Sequence, residues 1–168
     1  YDRVLGSGIP EKGTVLTQTS NFWFDLLDFS NHVVTPNAAD MPEGVAAAAR
    51  SVGGRAVLVN RVKIAPIECI VRGYLAGSKV KEYESTGAIQ GISLPAGIEI
   101  GGKLPEPIFT PTTKEASGHD QPITYAELEE SVGPKLAARL REFSLEVFSA
   151  AAAHSESKGL ILCDTKFE

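Results

Sequence analysis

The chain has 168 residues, 43% of them hydrophobic and 22% charged, a composition that excludes wholesale disorder and fits a packed domain. Its formal net charge of −5 argues against a protein that coats nucleic acid with a basic face. The two cysteines do not make a disulfide framework, and no apolar run reaches the ~20 residues of a membrane span. These features predict a protein of the reducing cytoplasm with no membrane partner.

In the N-terminal third, the pattern predicts loops and short helices. Glycine and proline in residues 7–13 predict a loop, after which Ser20 is the predicted N-cap of a short helix over 21–29. Residues 31–54 predict an irregular connecting segment, in which the alanine-rich stretch 45–49 forms one or two helical turns.

The strongest strand pattern follows in the middle of the chain. Alternation over 55–64 predicts a strand, Pro66 breaks it, and residues 68–74 resume it. A helix is predicted over 76–85, with Gly87 as its stop. Because residues 87–118 are rich in glycine and proline, they predict a long functional loop with short strands.

The C-terminal part has clear helix signals. Thr124 and Glu127 have the spacing of a capping box, and Pro134 begins the longest helix. The predicted buried face of that helix consists of Leu136, Leu140, Phe143, Val147, Ala151 and His154. Residues 160–163 predict a short apolar strand. The order of these elements indicates an α+β fold with a largely antiparallel sheet and flanking helices.

Arg72 and the turn after it form the first candidate site. A strand delivers an arginine, and Gly77 and Ser78 follow at a predicted helix start, which suits an anion such as a phosphate. The spacing is not that of a P-loop. The alternative is an ordinary strand–turn–helix in which Ser78 is only an N-cap, and residue types alone favour it.

The proline- and threonine-rich segment 103–114 forms the second candidate site. It is stiff, lined with hydroxyls and ends at Lys114, which suits a carboxylate or phosphate substrate. His119 and Asp120 follow as an acid/base or orienting pair. The alternative is a solvated surface loop, slightly favoured by residue types alone.

The last five residues of the given sequence, 164–168, form the third candidate site. Asp164, Lys166 and Glu168 share one face of an extended segment, with carboxylates for a metal ion and an ammonium group for phosphate. A solvated edge strand is an equally good interpretation of that spacing. The three histidines have no ligand-like spacing with the cysteines, so no zinc site is predicted.

Taken together, these segments resemble the SAICAR synthetase (phosphoribosylaminoimidazole-succinocarboxamide synthase) family. The motifs are Glu68-Cys-Ile-Val-Arg-Gly-Tyr-Leu-Ala-Gly-Ser78, Leu104-Pro-Glu-Pro-Ile-Phe-Thr-Pro-Thr-Thr-Lys114, Gly118-His-Asp120 and Asp164-Thr-Lys-Phe-Glu168, in the family's order. Ile9-Pro-Glu-Lys-Gly13 and Ser20-Asn-Phe-Trp-Phe24 match as well. The resemblance implies an ATP-dependent ligase of purine biosynthesis, with a two-part fold related to kinases and ATP-grasp enzymes.

In this family ATP phosphorylates the carboxylate of carboxyaminoimidazole ribotide (CAIR), and the amine of L-aspartate then displaces phosphate. The resemblance implies that Arg72, Gly77 and Ser78 grip the ribotide phosphate. It also implies that backbone groups of the hinge 63–68, at Lys63, Ile64, Ile67 and Glu68, lie beside the adenine. It implies phosphate contacts for Lys166, Mg²⁺ at Glu168, and CAIR or aspartate contacts for Lys114, His119 and Asp120. Lys166, Lys114 and Asp120 are the implied catalytic residues. Weaker substrate-binding candidates are Glu11, Lys12 and Ser20.

The same resemblance implies two parts. Residues 1–67 would be the rest of an ATP-binding part, and 68–168 a substrate- and nucleotide-binding part that is incomplete at its C-terminus. Family members carry a glycine-rich hairpin upstream and a further metal-binding Asp downstream. The chain is therefore expected to be truncated at both ends and to have little ligase activity by itself.

Other functions remain open from the sequence. One is an inactive fragment or non-catalytic module that retains only the ribotide-phosphate site. A kinase-like phosphotransferase is disfavoured, because neither a His-Arg-Asp nor an Asp-Phe-Gly motif occurs. The expected partners are small molecules and no nucleic acid, and a homo-oligomer is left open.

Overall fold

The computed structural model describes residues 3–114 and 119–168. The chain divides into two compact units, the first ending at Lys63 and the second beginning at Ile64. No helix in the described ranges is long and apolar enough to cross a membrane. Both cysteines are free: Cys69 is buried, as its place in a strand predicts, and Cys163 is exposed.

The first unit contains two helices and a two-stranded antiparallel sheet. Its elements are α1 (Lys12–Leu27), β1 (Val33–Thr35), α2 (Glu43–Ser51) and β2 (Leu58–Val59), with a 3₁₀ turn at Ala38–Asp40. A small core of Met41, Ala46 and Ala49 packs α2 against its neighbours, so the alanine-rich stretch is helical as predicted. In an apolar stripe, alanine combines high helix propensity with close packing.

Two predictions for this unit are wrong. The first helix begins at Lys12, so Ser20 lies inside it and not at its N-cap. Glu11, in the left-handed region at φ 59°, precedes the helix, and an exposed Ser is tolerated further along it. The strand predicted over 55–64 shrinks to β2, because in the described part of this unit its only partner is the three-residue β1.

The second unit is built on a four-stranded antiparallel sheet. Its strands and helices are β3 (Ile67–Tyr74), α3 (Val80–Thr86), β4 (Ala88–Ile89), β5 (Ile92–Ser93), β6 (Lys103–Phe109), β7 (Thr112–Thr113), α4 (Tyr125–Val132), α5 (Pro134–Ser157) and β8 (Asp164–Phe167). β6 and β7 pair with β3 in one shared register, from Ile67↔Thr113 to Arg72↔Ile108. β8 pairs with β3 from Cys69 to Arg72. Polar residues of three strands, β6, β7 and β8, are thereby brought alongside β3.

The core of this unit lies between the sheet and α5. Ile67, Cys69, Val71 and Phe109 from the sheet pack with Leu128, Ala137 and Phe148 from the helices. The capping box of α4 is present as predicted: Thr124 accepts from the Glu127 N–H, and the Glu127 carboxylate accepts from the Thr124 N–H. The predicted α+β fold with a largely antiparallel sheet and flanking helices is confirmed.

Four element predictions for this unit need correction. The segment predicted as a loop with short strands contains the seven-residue strand β6, which is longer than expected; its Pro105 and Pro107 are tolerated because one side of β6 has no partner strand in the described sheet. The apolar run 160–163 is not a strand, which begins instead at Asp164. Ser78 lies in the 3₁₀ turn Gly77–Lys79 and not at an α-helix N-cap.

The fourth correction concerns the buried face of α5. The residues that it buries are Ala137, Ser144, Phe148, Ala151 and Ser155, most of them one position from the predicted stripe. Of the predicted stripe only Ala151 is fully buried, and Leu136 is exposed. Small residues such as Ala137 and Ser144 allow the helix to approach the sheet closely, which a search for large apolar residues misses.

Candidate active site

A buried carboxylate on β3 is the centre of the candidate site. Glu68 carries a carboxylate and yet is only 3% exposed, like its apolar neighbours on β3. One oxygen, Oε1, lies 2.7 Å from Lys114 Nζ, and the other, Oε2, lies 2.7 Å from Lys166 Nζ. Thr112 Oγ1 also donates to Oε2, at 3.3 Å. Both oxygens therefore have partners, as a buried charge requires.

The strand register explains why these groups meet. Glu68 and Thr112 are directly opposed on β3 and β7, and Lys114 follows β7 immediately. Lys166 is paired with Ile70 on β8, two residues along β3 from Glu68, so its side chain falls on the same face. Residues separated by about 50 to 100 positions in the chain thus converge on one carboxylate.

The charges of this cluster stabilise one another. Hydrogen bonds from Lys114 and Lys166 lower the pKa of Glu68 to about 2, against the opposing effect of burial. Hydrogen bonds to Glu168 and Glu68 raise the pKa of Lys114 above its usual range. At neutral pH Glu68 is therefore a carboxylate, and the two lysine side chains that hold it are themselves 41% and 53% exposed.

The charged residues of β8 and Glu168, directly after the strand, share one exposed side, as the two-residue spacing predicts. Asp164, Lys166 and Glu168 are exposed, whereas Thr165 and Phe167 are half-buried. The Glu168 carboxylate lies 2.5 Å from Lys114 Nζ, so Lys114 bridges Glu168 and Glu68. The second and third candidate segments of the sequence therefore form one site.

Arg72 lies four residues further along β3, and a hydrogen bond to a different residue holds its side chain. Its Nε donates to Thr110 Oγ1 at 3.1 Å, and Thr110 is fully buried. Burial lowers the pKa of Arg72, and the charges of Asp164 and Glu82 oppose that change. Since Nε is engaged with Thr110, the two terminal nitrogens of the guanidinium are the groups that suit a bidentate oxyanion.

The remaining predicted residues of the second unit are distributed around this sheet. Gly77, at φ 63°, and Ser78 are exposed in the turn after β3. Ile67 is buried in the core at 2% exposure, and Ile64 is 60% exposed. His119 is exposed and its carbonyl accepts from Gln121 Nε2, while Asp120 is half-buried. Gly118 of the predicted motif lies outside the described residues.

Four predicted residues belong to the first unit. Lys12 and Ser20 are exposed on α1, Lys63 is exposed at the unit's end, and Glu11 precedes α1. Their contribution to a ligand site stays a prediction.

Sequence reasoning missed the roles of Thr110 and Thr112, and it treated Glu68 only as a backbone position beside adenine. A signal for Glu68 was present, because a carboxylate in the middle of the apolar run 67–71 requires buried partners. The threonines gave no such signal, since their role depends on the register of β6 and β7 against β3.

The donor set is compatible with Mg²⁺ bound through a phosphate ligand. Within residues 3–114 and 119–168, no three His, Cys, Asp or Glu side chains form a metal cluster. Mg²⁺ in phosphoryl-transfer sites commonly takes only one or two carboxylates, with phosphates and water completing the octahedron. The exposed carboxylate of Glu168 fits that role beside two lysines.

The α+β fold places two lysines around a buried carboxylate, near an arginine that is held by a buried threonine. Such a site suits a protein that binds phosphate-bearing small molecules. The family model of SAICAR synthetase matches residues 1–168. The chain therefore belongs to the SAICAR synthetase family.

Similar proteins support this assignment. The chain is 48% identical to the phosphoribosylaminoimidazole-succinocarboxamide synthase of Thermodesulfovibrio yellowstonii and 50% identical to that of Chromobacterium violaceum. These alignments include 100% of this chain but only 58% and 60% of those proteins. This chain thus spans somewhat more than half the length of these relatives.

Solved structures are similar over all or nearly all of this chain as well. The SAICAR synthase from Saccharomyces cerevisiae, complexed with SAICAR, has a TM-score of 0.86 at 38% identity, covering 100% of this chain and 57% of that one. A type-2 SAICAR synthetase in complex with ADP has a TM-score of 0.72 at 25% identity, covering 95% of this chain and 58% of that one.

Proposed function

We propose that the protein containing this chain is an ATP-dependent ligase that joins L-aspartate to the carboxylate of CAIR. The products are SAICAR, ADP and phosphate. The observation that carries the proposal is the family match over all 168 residues. It is supported by relatives whose complexes contain SAICAR and ADP.

The reaction has two steps. A carboxylate oxygen of CAIR attacks the γ-phosphorus of ATP, and the bond from that phosphorus to the bridging oxygen breaks, which releases ADP. The amine of aspartate then attacks the acyl carbon, phosphate leaves and the nitrogen loses a proton. Catalysis of the first step consists mostly of positioning and charge stabilisation.

The lysine cluster would provide that charge stabilisation. Lys166 and Lys114 would contact the transferred phosphoryl group and the CAIR carboxylate, because both side chains are partly exposed and both are held by Glu68. Held in place before the substrates arrive, the two charges need no reorganisation during the reaction. Mg²⁺, bound through Glu168 and the phosphates, would neutralise further negative charge.

The ribotide phosphate would bind at Arg72, with Ser78 and the backbone of Gly77. Thr110 occupies the Nε of Arg72, which leaves the other two guanidinium nitrogens for the ligand. Asp120 and His119 would orient the aspartate amine or accept its proton.

The contacts to the nucleotide and the remaining contacts to substrate are assigned from the sequence resemblance alone. The adenine would lie beside 63–68, contacting backbone groups at Lys63, Ile64 and Ile67. Lys12 and Ser20 would add substrate contacts. We expect a cytoplasmic location, because both cysteines are free, as thiols are in a reducing compartment.

The test is ADP release by the full gene product that contains this sequence, with Mg-ATP, CAIR and L-aspartate. Release that requires both CAIR and aspartate, with SAICAR formed in equal amount, is the expected result. Lys166→Met should lower kcat at least 100-fold, whereas the matched variant Lys135→Met on α5 should stay within twofold. ADP release without aspartate incorporation would exclude the ligase.

A further inference from the structure

Two described stretches, 111–114 and 119–123, carry Lys114 and Asp120 and are called here the Lys114 segment; paired backbone groups join them. The Ile123 N–H donates to the Pro111 carbonyl at 3.1 Å, and the Thr113 N–H donates to the Gln121 carbonyl at 2.9 Å. We call the pair Pro111 and Ile123 the neck of this segment. The geometry of the neck determines where Lys114 leaves the sheet.

One side chain from another element holds both sides of the neck. Gln90 Nε2 donates to the Pro111 carbonyl at 2.9 Å and to the Ile123 carbonyl at 2.6 Å. Since both partners are acceptors, the amide must present its NH₂ group to them, and both of its N–H bonds are used. The contacts span 21 and 33 residues of sequence.

The backbone position of Gln90 is an unusual one for glutamine. It is the first residue of the two-residue turn between β4 and β5, with φ 49°, and Gly91 follows at φ 81°. Such turns favour Asn or Gly at this position, because other side chains are strained at positive φ. Asn would suit the turn better, but its side chain is one methylene shorter and does not reach the neck.

The turn is itself tied to the predicted phosphate site. The Gln90 N–H donates to Glu82 Oε1 at 2.5 Å, and Glu82 Oε2 lies 2.8 Å from Lys79 Nζ. Lys79 is 6% exposed and directly follows Ser78 in the turn Gly77–Lys79. A continuous chain of contacts therefore joins the Ser78 turn to the neck of the Lys114 segment.

We propose that Gln90 is a positioning residue, which holds the segment bearing Lys114 and Asp120 in a fixed place relative to the Ser78 turn. This proposal rests on the proposed function. In that function, Ser78 holds the ribotide phosphate and Lys114 meets the other end of the same substrate. A displacement of about 1 Å between them would lower turnover steeply.

The test uses two variants of the full gene product. Gln90→Asn improves the turn but withdraws the amide from the neck, and Gln90→Met keeps the length but has no donor. Both should lower kcat at least tenfold, with the KM for ATP changed less than twofold. The matched control is Gln18→Asn, since Gln18 makes one side-chain bond to the Gly54 carbonyl in the first unit. It should turn over within twofold of the wild type.

Amide hydrogen exchange supplies a readout that does not depend on activity. Exchange at Thr113 and Ile123 should become at least tenfold faster in both Gln90 variants and stay unchanged in Gln18→Asn. The melting temperature of Gln90→Asn should fall no further than that of the control, because the turn itself is improved.

Turnover within twofold of the wild type in either Gln90 variant would overturn the positioning role. If the wild type shows no aspartate-dependent turnover, the proposed function fails separately. Unchanged exchange at Thr113 and Ile123 would then also show that Gln90 does not hold the neck, whereas faster exchange would still support that role.

Discussion

Glu68 is the residue on which the charge arrangement of the second unit depends. Its carboxylate is nearly inaccessible, and each oxygen meets a different lysine. A buried carboxylate costs free energy unless its partners are in place. The cluster is therefore maintained by the fold, before any ligand binds.

Replacing Glu68 by Gln should lower the free energy of unfolding at neutral pH by up to about 3 kcal/mol, from the pKa of about 2 against the ordinary 4.5. The pKa is lowered on folding, so this stabilisation is complete above pH 4.5 and disappears as the pH falls towards 2. Urea unfolding of wild type and variant at pH 7 and at several values below 4.5 measures the difference.

The control for this prediction is Glu146→Gln, on the exposed side of α5. Its effect should stay within about 0.5 kcal/mol at every pH. A difference between Glu68→Gln and wild type that does not shrink on acidification would contradict the assignment of the stabilisation to the charge of Glu68.

Thr110 offers a test of the arginine site. Thr110→Val keeps the shape of the buried side chain but leaves Arg72 Nε without its acceptor. A hydrogen bond to a charged group contributes about 1.5–3 kcal/mol, so the KM for CAIR should rise about tenfold or more. The KM for ATP should change less than twofold in the same steady-state assay.

Thr165→Val is the matched control, because the Thr165 hydroxyl is buried and has no hydrogen-bond partner among the described residues. Removing it leaves no donor or acceptor stranded, so stability and both KM values should stay close to the wild type. Equal effects of the two substitutions on the KM for CAIR would show that Thr110 acts only through packing.

These residues also show how far the site could be predicted. Lys114, Lys166 and Glu168 were named from their residue types and from the resemblance, and the structure brings them together. Glu68 as their common partner, and Thr110 behind Arg72, could not be found that way. Both depend on which residues of strands some 40 positions apart stand opposite each other.

At the scale of elements, local signals were reliable where one residue type determines the geometry. The capping box of α4, the proline at the start of α5 and the left-handed Gly87 after α3 were all correctly predicted. Strand limits were not, because β6 is held by β3 in spite of its two prolines, whereas residues 60–64 alternate but have no strand partner in the described unit. Strand formation requires a partner, which the alternation of one segment does not reveal.

The packing of α5 on β3 leads to a prediction at Gly73. A Cβ at this position would lie 2.8 Å from Phe148 Cζ and 3.3 Å from Cε1, and Phe148 is 2% exposed in the core. Gly73→Ala should therefore lower the free energy of unfolding by about 1–3 kcal/mol through overpacking. Thermal or urea unfolding of the full gene product measures it.

Two further variants separate overpacking from other causes. Combining Gly73→Ala with Phe148→Leu should cost less than the two single effects added together, because the smaller side chain leaves room for the methyl group. Gly44→Ala in α2 has no atom within 4 Å of the new Cβ and should leave stability unchanged or raise it slightly. Strict additivity at 73 and 148 would argue against a direct clash.

At the scale of the whole molecule, two compact units meet in sequence at Lys63 and Ile64. Residues 60–66 lie outside the helices and strands, and Val62 and Ile64 are 58% and 60% exposed. The resemblance assigns the adenine contacts to an overlapping segment, 63–68. Exposed apolar side chains such as Val62 and Ile64 often mark a place where a ligand binds. They would suit contact with the flat adenine ring.

This assignment predicts that nucleotide shields the segment. Exposed chain without secondary structure is cut first by proteases, so trypsin should cleave the full gene product early after Arg61 and Lys63. Saturating Mg-ATP should slow cleavage at these two sites at least tenfold. Cleavage after the exposed Lys158, just beyond α5, should keep its rate and serves as the internal control. Equal rates at Arg61 and Lys63 with and without Mg-ATP would remove this segment from the nucleotide site, since an adenine bound to its backbone must exclude the protease.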